Sequence, residues 1–173
     1  MSIVDLMVLG FLAERPHHGY ELRRRIEQLY GYARPISDGT LYPAIRRLAT
    51  NGYVSTTTTP GHGRAGRHTH RLTSAGREHL LDRLRNADGH DVTDSGRFLV
   101  VLAFLGLLHD RATEHAVLKR RLTFLQTSAS FFYDGDQPLR MAEISDPYRR
   151  GMLLSARALS LAERDWITQE LAS

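Results

Sequence analysis

The 173-residue chain has no cysteine, a single lysine and no long apolar run. Without cysteine, disulfides and thiolate metal sites are excluded, and nothing argues for export. No stretch reaches the roughly 18 consecutive apolar residues that a membrane-spanning helix needs, so no membrane partner is expected. The sequence opens on an amphipathic segment with no basic stretch before it. A secretory signal is therefore not expected, and the cytoplasm is the expected location. Enzyme signatures are missing as well: there is no nucleophile elbow, no phosphate-binding glycine loop, no HExxH and no pair of carboxylates in a catalytic frame. Neither catalytic residues nor a cofactor are expected.

What is present is arginine. Of 23 basic residues only Lys119 is a lysine, and guanidinium forks bind phosphates and guanine edges in bidentate fashion. The charge is unevenly spread. Residues 1–86 carry 13 arginines against 7 acidic residues, a net +6, while 87–173 carry 10 basic and 12 acidic residues, a net −2. An anionic partner is expected in the first half.

The apolar stretch IVDLMVLGFLAE (3–14) predicts a buried helix that Arg15-Pro16 ends. YELRRRIEQLY predicts a second, with Leu22, Ile26 and Leu29 on one face and Gly31 as its stop. A third follows, with Ser37 as N-cap, Asp38 in its first turn, Leu41, Ile45 and Leu48 inward, and Asn51-Gly52 at its close. The period then changes. YVSTTTTP and RHTHRLT, rich in β-branched residues, predict strands over 53–59 and 67–72 joined by the glycine-rich GHGRAG. Thr73 caps a fourth helix that runs to about Asn86. The polar ADGHDVTDSG (87–96) is the expected boundary between a domain of 1–88 and one of 95–173, and beyond it only helical patterns appear, including FLVVLAFLGLL (98–108), 113–132 and 147–171.

The fold class expected is therefore mainly α with a small β-hairpin, an N-terminal winged helix-turn-helix followed by an α-helical domain. In a winged helix the third helix enters the major groove and the hairpin reaches along the backbone or into the minor groove. Arg46 and Arg47 lie on that helix, and Arg64, Arg67 and His68 lie at the wing.

HGYEL (18–22), SDGTLYPAIRRL (37–48), NGYV (51–54) and HRLTSAG (70–76) fall in an order and spacing that resemble the PadR family of transcriptional regulators. The resemblance covers about residues 3–86. It implies a homodimer that binds a pseudo-palindromic operator in double-stranded DNA and represses transcription, released by a small aromatic or amphipathic effector. One departure is His70, where the family usually has an aromatic residue before its R-L-T.

Further candidates come from the residues themselves. Tyr42, beside inward Leu41, turns toward the helix flank and is expected on DNA, as are Ser37 and Thr40 at the helix's amino end. Tyr20, which flanks Gly19 at the start of the second helix, is a further candidate for DNA binding through a phosphate contact, with a structural turn as the alternative. Gly39 and Pro43 are poor helix formers placed where the helix begins. Proline 43 has no amide for the carbonyl of residue 39, and a bare Gly39 lets a phosphate approach. His62, His68 and His70 lack a carboxylate or thiolate to complete a metal site, so no metal is expected. Phe98, Phe104, Leu159 and Trp166 are candidates for a dimer interface or effector pocket. The competing reading is a winged helix that binds protein and no operator; the arginines of the first half count against it.

Overall fold

Ser2 starts the first helix from outside it. In the computed structural model, which describes residues 2–29, 35–59, 67–127, 133–134, 136–138 and 140–173, the Ser2 hydroxyl accepts from the Asp5 amide at 3.1 Å, and the Asp5 carboxylate accepts from the Ser2 amide at 3.0 Å. This reciprocal cap satisfies two amides that no helical turn can reach. Helix α1 (Ile3–Glu14) is buried continuously from Asp5 to Leu12 and ends at an extended Arg15 before Pro16. It is the hub of the first compact unit.

Around it pack α2 (Gly19–Leu29), inward through Leu22 and Ile26, and α3 (Asp38–Thr50), inward through Leu41, Ala44, Ile45 and Leu48. The stop expected at Gly31 lies outside the described residues. Strands β2 (Val54–Thr59) and β3 (Arg67–Leu72) pair antiparallel from Val54 opposite Leu72 to Thr59 opposite Arg67. The loop between them, with His62 and Arg64, also lies outside the described residues. A two-residue strand β1 (His17–His18), not expected from the sequence, joins the other edge of β3, giving the order β1-β3-β2. Helix, short strand, two helices and hairpin make this a winged helix.

Helix α4 (Ser74–Arg85) is capped by Thr73, whose hydroxyl accepts from the Gly76 amide at 2.9 Å. Gly76 has a steric reason to be glycine. A Cβ there would sit 2.1 Å from the Tyr53 carbonyl oxygen, so α4 meets the start of the hairpin backbone to backbone.

The polar stretch expected as a linker is ordered. Helix α5 (His90–Thr93) buries Asp91, whose carboxylate accepts from Arg97 at 2.6 and 3.0 Å and pairs with Arg83. Three elements are thereby tied to one anion: α4, α5 and α6 (Ser95–Leu105). Helix α6 packs on α1, where Gly10 leaves room for the Phe104 ring and Phe11 meets that ring edge-on at 5.1 Å. The first compact unit consequently runs to Glu114, past the boundary expected at 87–96, and the second begins at His115.

The second unit holds most of α7 (Arg111–Gln126) and all of α8 (Pro147–Ala172). Between them a small hairpin of β4 (Tyr133–Asp134) and β5 (Gln137–Pro138) interrupts what the sequence presents as helices alone. Helix α7 stops at Gln126, short of the 132 expected, and Phe131 and Phe132 lie outside the described residues. Within the unit, fully buried Arg121 donates to both oxygens of Glu163 at 2.7 Å. Among the described residues no helix is long and apolar enough to cross a membrane.

Candidate nucleic-acid interface

Helix α3 has two unlike faces. Its inner stripe, Leu41, Ala44, Ile45 and Leu48, is at most 3% exposed, whereas Ser37, Asp38, Gly39, Thr40, Tyr42 and Arg46 all face outward. The inner stripe fixes the helix to α1, so the outer face is presented by packing and needs no loop to hold it.

The amino end is open. Ser37 sits at the N-cap position with extended backbone, but its side chain makes no cap bond. Its hydroxyl lies 2.9 Å from that of Thr40 instead. The Ser37 carbonyl accepts from Thr40 and Leu41, both at 3.0 Å, which leaves the amides before them directed out of the helix. A Cβ on Gly39 would meet nothing nearer than the Ser37 hydroxyl, 3.8 Å away. Asp38 would repel an anion here, but Arg23 pairs with it at 3.2 Å while also holding Glu27 at 3.1 Å. Half-buried Pro43 lies within the helix, which continues across it to Thr50. Orphan amides at a helix start attract anions in general, and here two hydroxyls and a bare α-carbon stand beside them.

The two arginines of α3 have different surroundings. Arg46 is exposed and has no ion-pair partner among the described residues. Arg47 turns back toward α1. It pairs with the nearly buried Asp5 carboxylate and reaches within 3.5 Å of the Ser2 hydroxyl. This departs from the expectation that both arginines face DNA. The reason is that Asp5, committed to capping α1, would otherwise be a nearly buried anion held by the Ser2 amide alone.

Tyr20 is 71% exposed at the start of α2, and Tyr42 of α3 leans over neighbouring Gly19. The start of α2 is itself fastened. The His18 amide donates to the Glu21 carboxylate at 2.9 Å, and that hydrogen bond holds the Glu21 carboxyl below its ordinary range. The His18 ring nitrogen Nδ1 lies 3.1 Å from the His68 carbonyl of β3.

On the wing, exposed His68 pairs its Nδ1 with the Thr58 hydroxyl at 3.0 Å across the hairpin. Arg67 is placed as the first residue of β3. His70, the departure from the family pattern, is buried on the inner side of the sheet. It lies opposite buried His17 on one side and bonds the Thr56 hydroxyl at 2.9 Å on the other. Burial lowers the pKa of both, with nearby Arg15 adding to the effect at His17 and His68 at His70. The row His17–His70–Thr56 therefore belongs to the joint between wing and helices and not to the outward surface.

Phe98 and Phe104 are placed in the core of the first unit, 0% and 3% exposed, packed rather than available to a partner. Leu159 and Trp166, on α8, are 74% and 41% exposed.

Residues 8–82 match the model of the transcriptional regulator PadR-like family, the stretch that holds α2, α3 and the hairpin. The match covers less than half of the chain, and it makes this stretch similar to that family. That family is described as one of transcriptional regulators. The Mycobacterium tuberculosis protein "Probable transcriptional regulator Rv1176c" is 30% identical over 95 residues, which span 51% of this chain and 50% of that relative. The match thus covers about half the length of the curated relative. Among solved structures, a transcriptional regulator from Clostridium thermocellum is 29% identical over 46% of this chain and 76% of its own, with a TM-score of 0.42. PadR of Bacillus subtilis, solved in complex with operator DNA, is 20% identical over 99% of both chains with a TM-score of 0.49. The winged-helix assignment rests on the element order of the first unit itself.

Proposed function

We propose that the chain is a sequence-specific DNA-binding regulator of transcription that acts as a homodimer on a pseudo-palindromic operator. The observation that carries this reading is the outer face of α3. Ser37, Gly39 and Thr40 offer a phosphate site at the helix start, Tyr42 and Arg46 stand about one and two turns further along, and the wing strand with Arg67 and His68 follows in the same unit; Arg64, outside the described residues, joins them by its place in the sequence. In this reading the helix start and the wing supply phosphate contacts, which set affinity and register, and Arg46 and Tyr42 meet base edges, which discriminate. Pro43 adds rigid apolar surface beside them. Arg47 acts from behind, holding α3 to α1.

Self-association is proposed through α8. Met152, Leu159 and Trp166 recur at steps of seven residues and are 46%, 74% and 41% exposed. An apolar stripe of this period suits a partner helix. Repression by occupying a promoter, and release by a small aromatic or amphipathic effector, extend the reading on the strength of the family resemblance.

The test is selection of duplexes by the full chain from a random-sequence pool. A dimer predicts an enriched motif with two-fold symmetry and half-sites about one helical turn apart, or a multiple of that. Enrichment of nothing, or of an unsymmetrical single site, contradicts the proposal.

A further inference from the structure

Gly19 opens α2 and is buried, and its backbone does not require glycine: among the described glycines only Gly52 and Gly89 have positive φ. What the position lacks is room. A Cβ at residue 19 would lie 2.8 Å from Cε1 of Tyr42, 3.1 Å from its hydroxyl oxygen and 3.4 Å from Cζ. The outer edge of the Tyr42 ring occupies the space a side chain would take. The floor of this notch cannot readily retreat, because the His18 ring is bonded to β3 through the His68 carbonyl and the Thr69 hydroxyl at 3.1 and 3.3 Å. The ring, at the end of two rotatable bonds, is what would move. Tyr42 itself remains 39% exposed on the outer face of α3.

We infer that Gly19 is a positioning residue for DNA discrimination, acting through Tyr42 by seating the phenol in one orientation at the reading surface. The inference rests on the DNA-binding reading above. Seating the ring before DNA arrives removes an ordering cost from binding, and it does so only for a duplex on which the phenol has a specific contact. Loss of the notch should therefore fall on discrimination, while general attraction to phosphates stays.

The experiment uses the full chain, a duplex enriched by the wild type from a random pool, and an unrelated duplex of equal length. Gly19→Ala should fold with an unchanged or raised thermal midpoint, bind the enriched duplex about tenfold more weakly, on the scale of one base contact, and bind the unrelated duplex as before. In a Tyr42→Ala background Gly19→Ala should have no further effect, and in a Tyr42→Phe background, where the ring remains, it should still weaken binding. An undiminished loss in the Tyr42→Ala background, or an equal loss on both duplexes, overturns the inference. Fluorotyrosine NMR separates this outcome from failure of the DNA reading. Gly19→Ala should shift the signal assigned to Tyr42, and a signal that stays in place contradicts the seating whatever the chain binds. A wild type that enriches no duplex, with the Tyr42 signal shifted, refutes the DNA reading and leaves the notch standing.

Discussion

Adjacent arginines on α3 are expected to fail in different ways when truncated. Arg46 is exposed with no ion-pair partner among the described residues, so Arg46→Ala should leave stability within about 0.5 kcal/mol of wild type, as surface changes do. If it neutralises one phosphate, the slope of log affinity against log salt should fall by about 0.9, and a base contact instead would cost about 1–3 kcal/mol on the preferred duplex. Arg47→Ala removes the partner of an Asp5 side chain that is 5% exposed. Breaking one side of a fully buried pair costs about 3–5 kcal/mol. Here half of the Arg47 side chain is solvated and the Ser2 amide still serves Asp5, so about 1–3 kcal/mol is expected. For the first unit that is a fall of roughly 3–12 °C in melting midpoint. The assay is fluorescence anisotropy with labelled duplex across a salt series, paired with thermal unfolding by circular dichroism. Asp5→Asn should recover part of the stability lost in Arg47→Ala, because it removes the unpaired charge. An Arg47→Ala protein of wild-type stability whose salt slope falls by one would refute this division of labour.

Gly39→Ala should raise stability by up to about 1 kcal/mol through helix propensity, since the site has open space, yet weaken duplex binding; unaltered affinity would remove the phosphate-approach role of Gly39. Gly76→Ala should do the opposite, destabilising the fold by several kcal/mol through a backbone clash at the Tyr53 carbonyl; a wild-type melt would contradict that close approach. His17 and His70 have pKa values below the ordinary imidazole value of 6.5. The unfolded chain therefore takes up these protons first as pH falls, so the stability they contribute is complete above about 6.5 and is lost below it. Melting midpoints should decline from about pH 7 toward pH 5, and His17→Phe should flatten that decline; an unchanged slope in the variant would rule the pair out as its source.

The parts legible in the sequence are those set by local pattern. Leu41, Ile45 and Leu48 alone orient α3, and the run of threonines after Gly52 marks the change from helix to strand. What stayed illegible depends on distant partners. Nothing near Arg47 announces Asp5, 42 residues away, so its guanidinium reads as another outward charge. The strand at His17–His18 exists only because β3 offers an edge, and two residues carry no period. Phe104 has helical spacing and aromatic bulk whether it faces a dimer partner or Gly10; the glycine in α1 that makes room for it was the available signal. Asp91 looks like linker polarity until Arg83 and Arg97 are seen around it. Seven residues of the wing tip, 60–66, lie outside the described structure, so Arg64 retains the role that sequence alone suggests.

Whether the outer face of α3 meets DNA can be read residue by residue from backbone amide NMR of the full chain titrated with an enriched duplex. The largest perturbations are expected from Ser37 to Arg46 and in β2 and β3 toward the wing, with α4 little changed. The first unit offers an alternative place for an anion, a cleft of about 510 Å³ between α1 and the start of α4 whose lining holds Arg15, Arg71 and Arg77 beside Glu14 and Glu78. Perturbations gathered around those three arginines, with α3 silent, would place the DNA elsewhere and refute the role of α3.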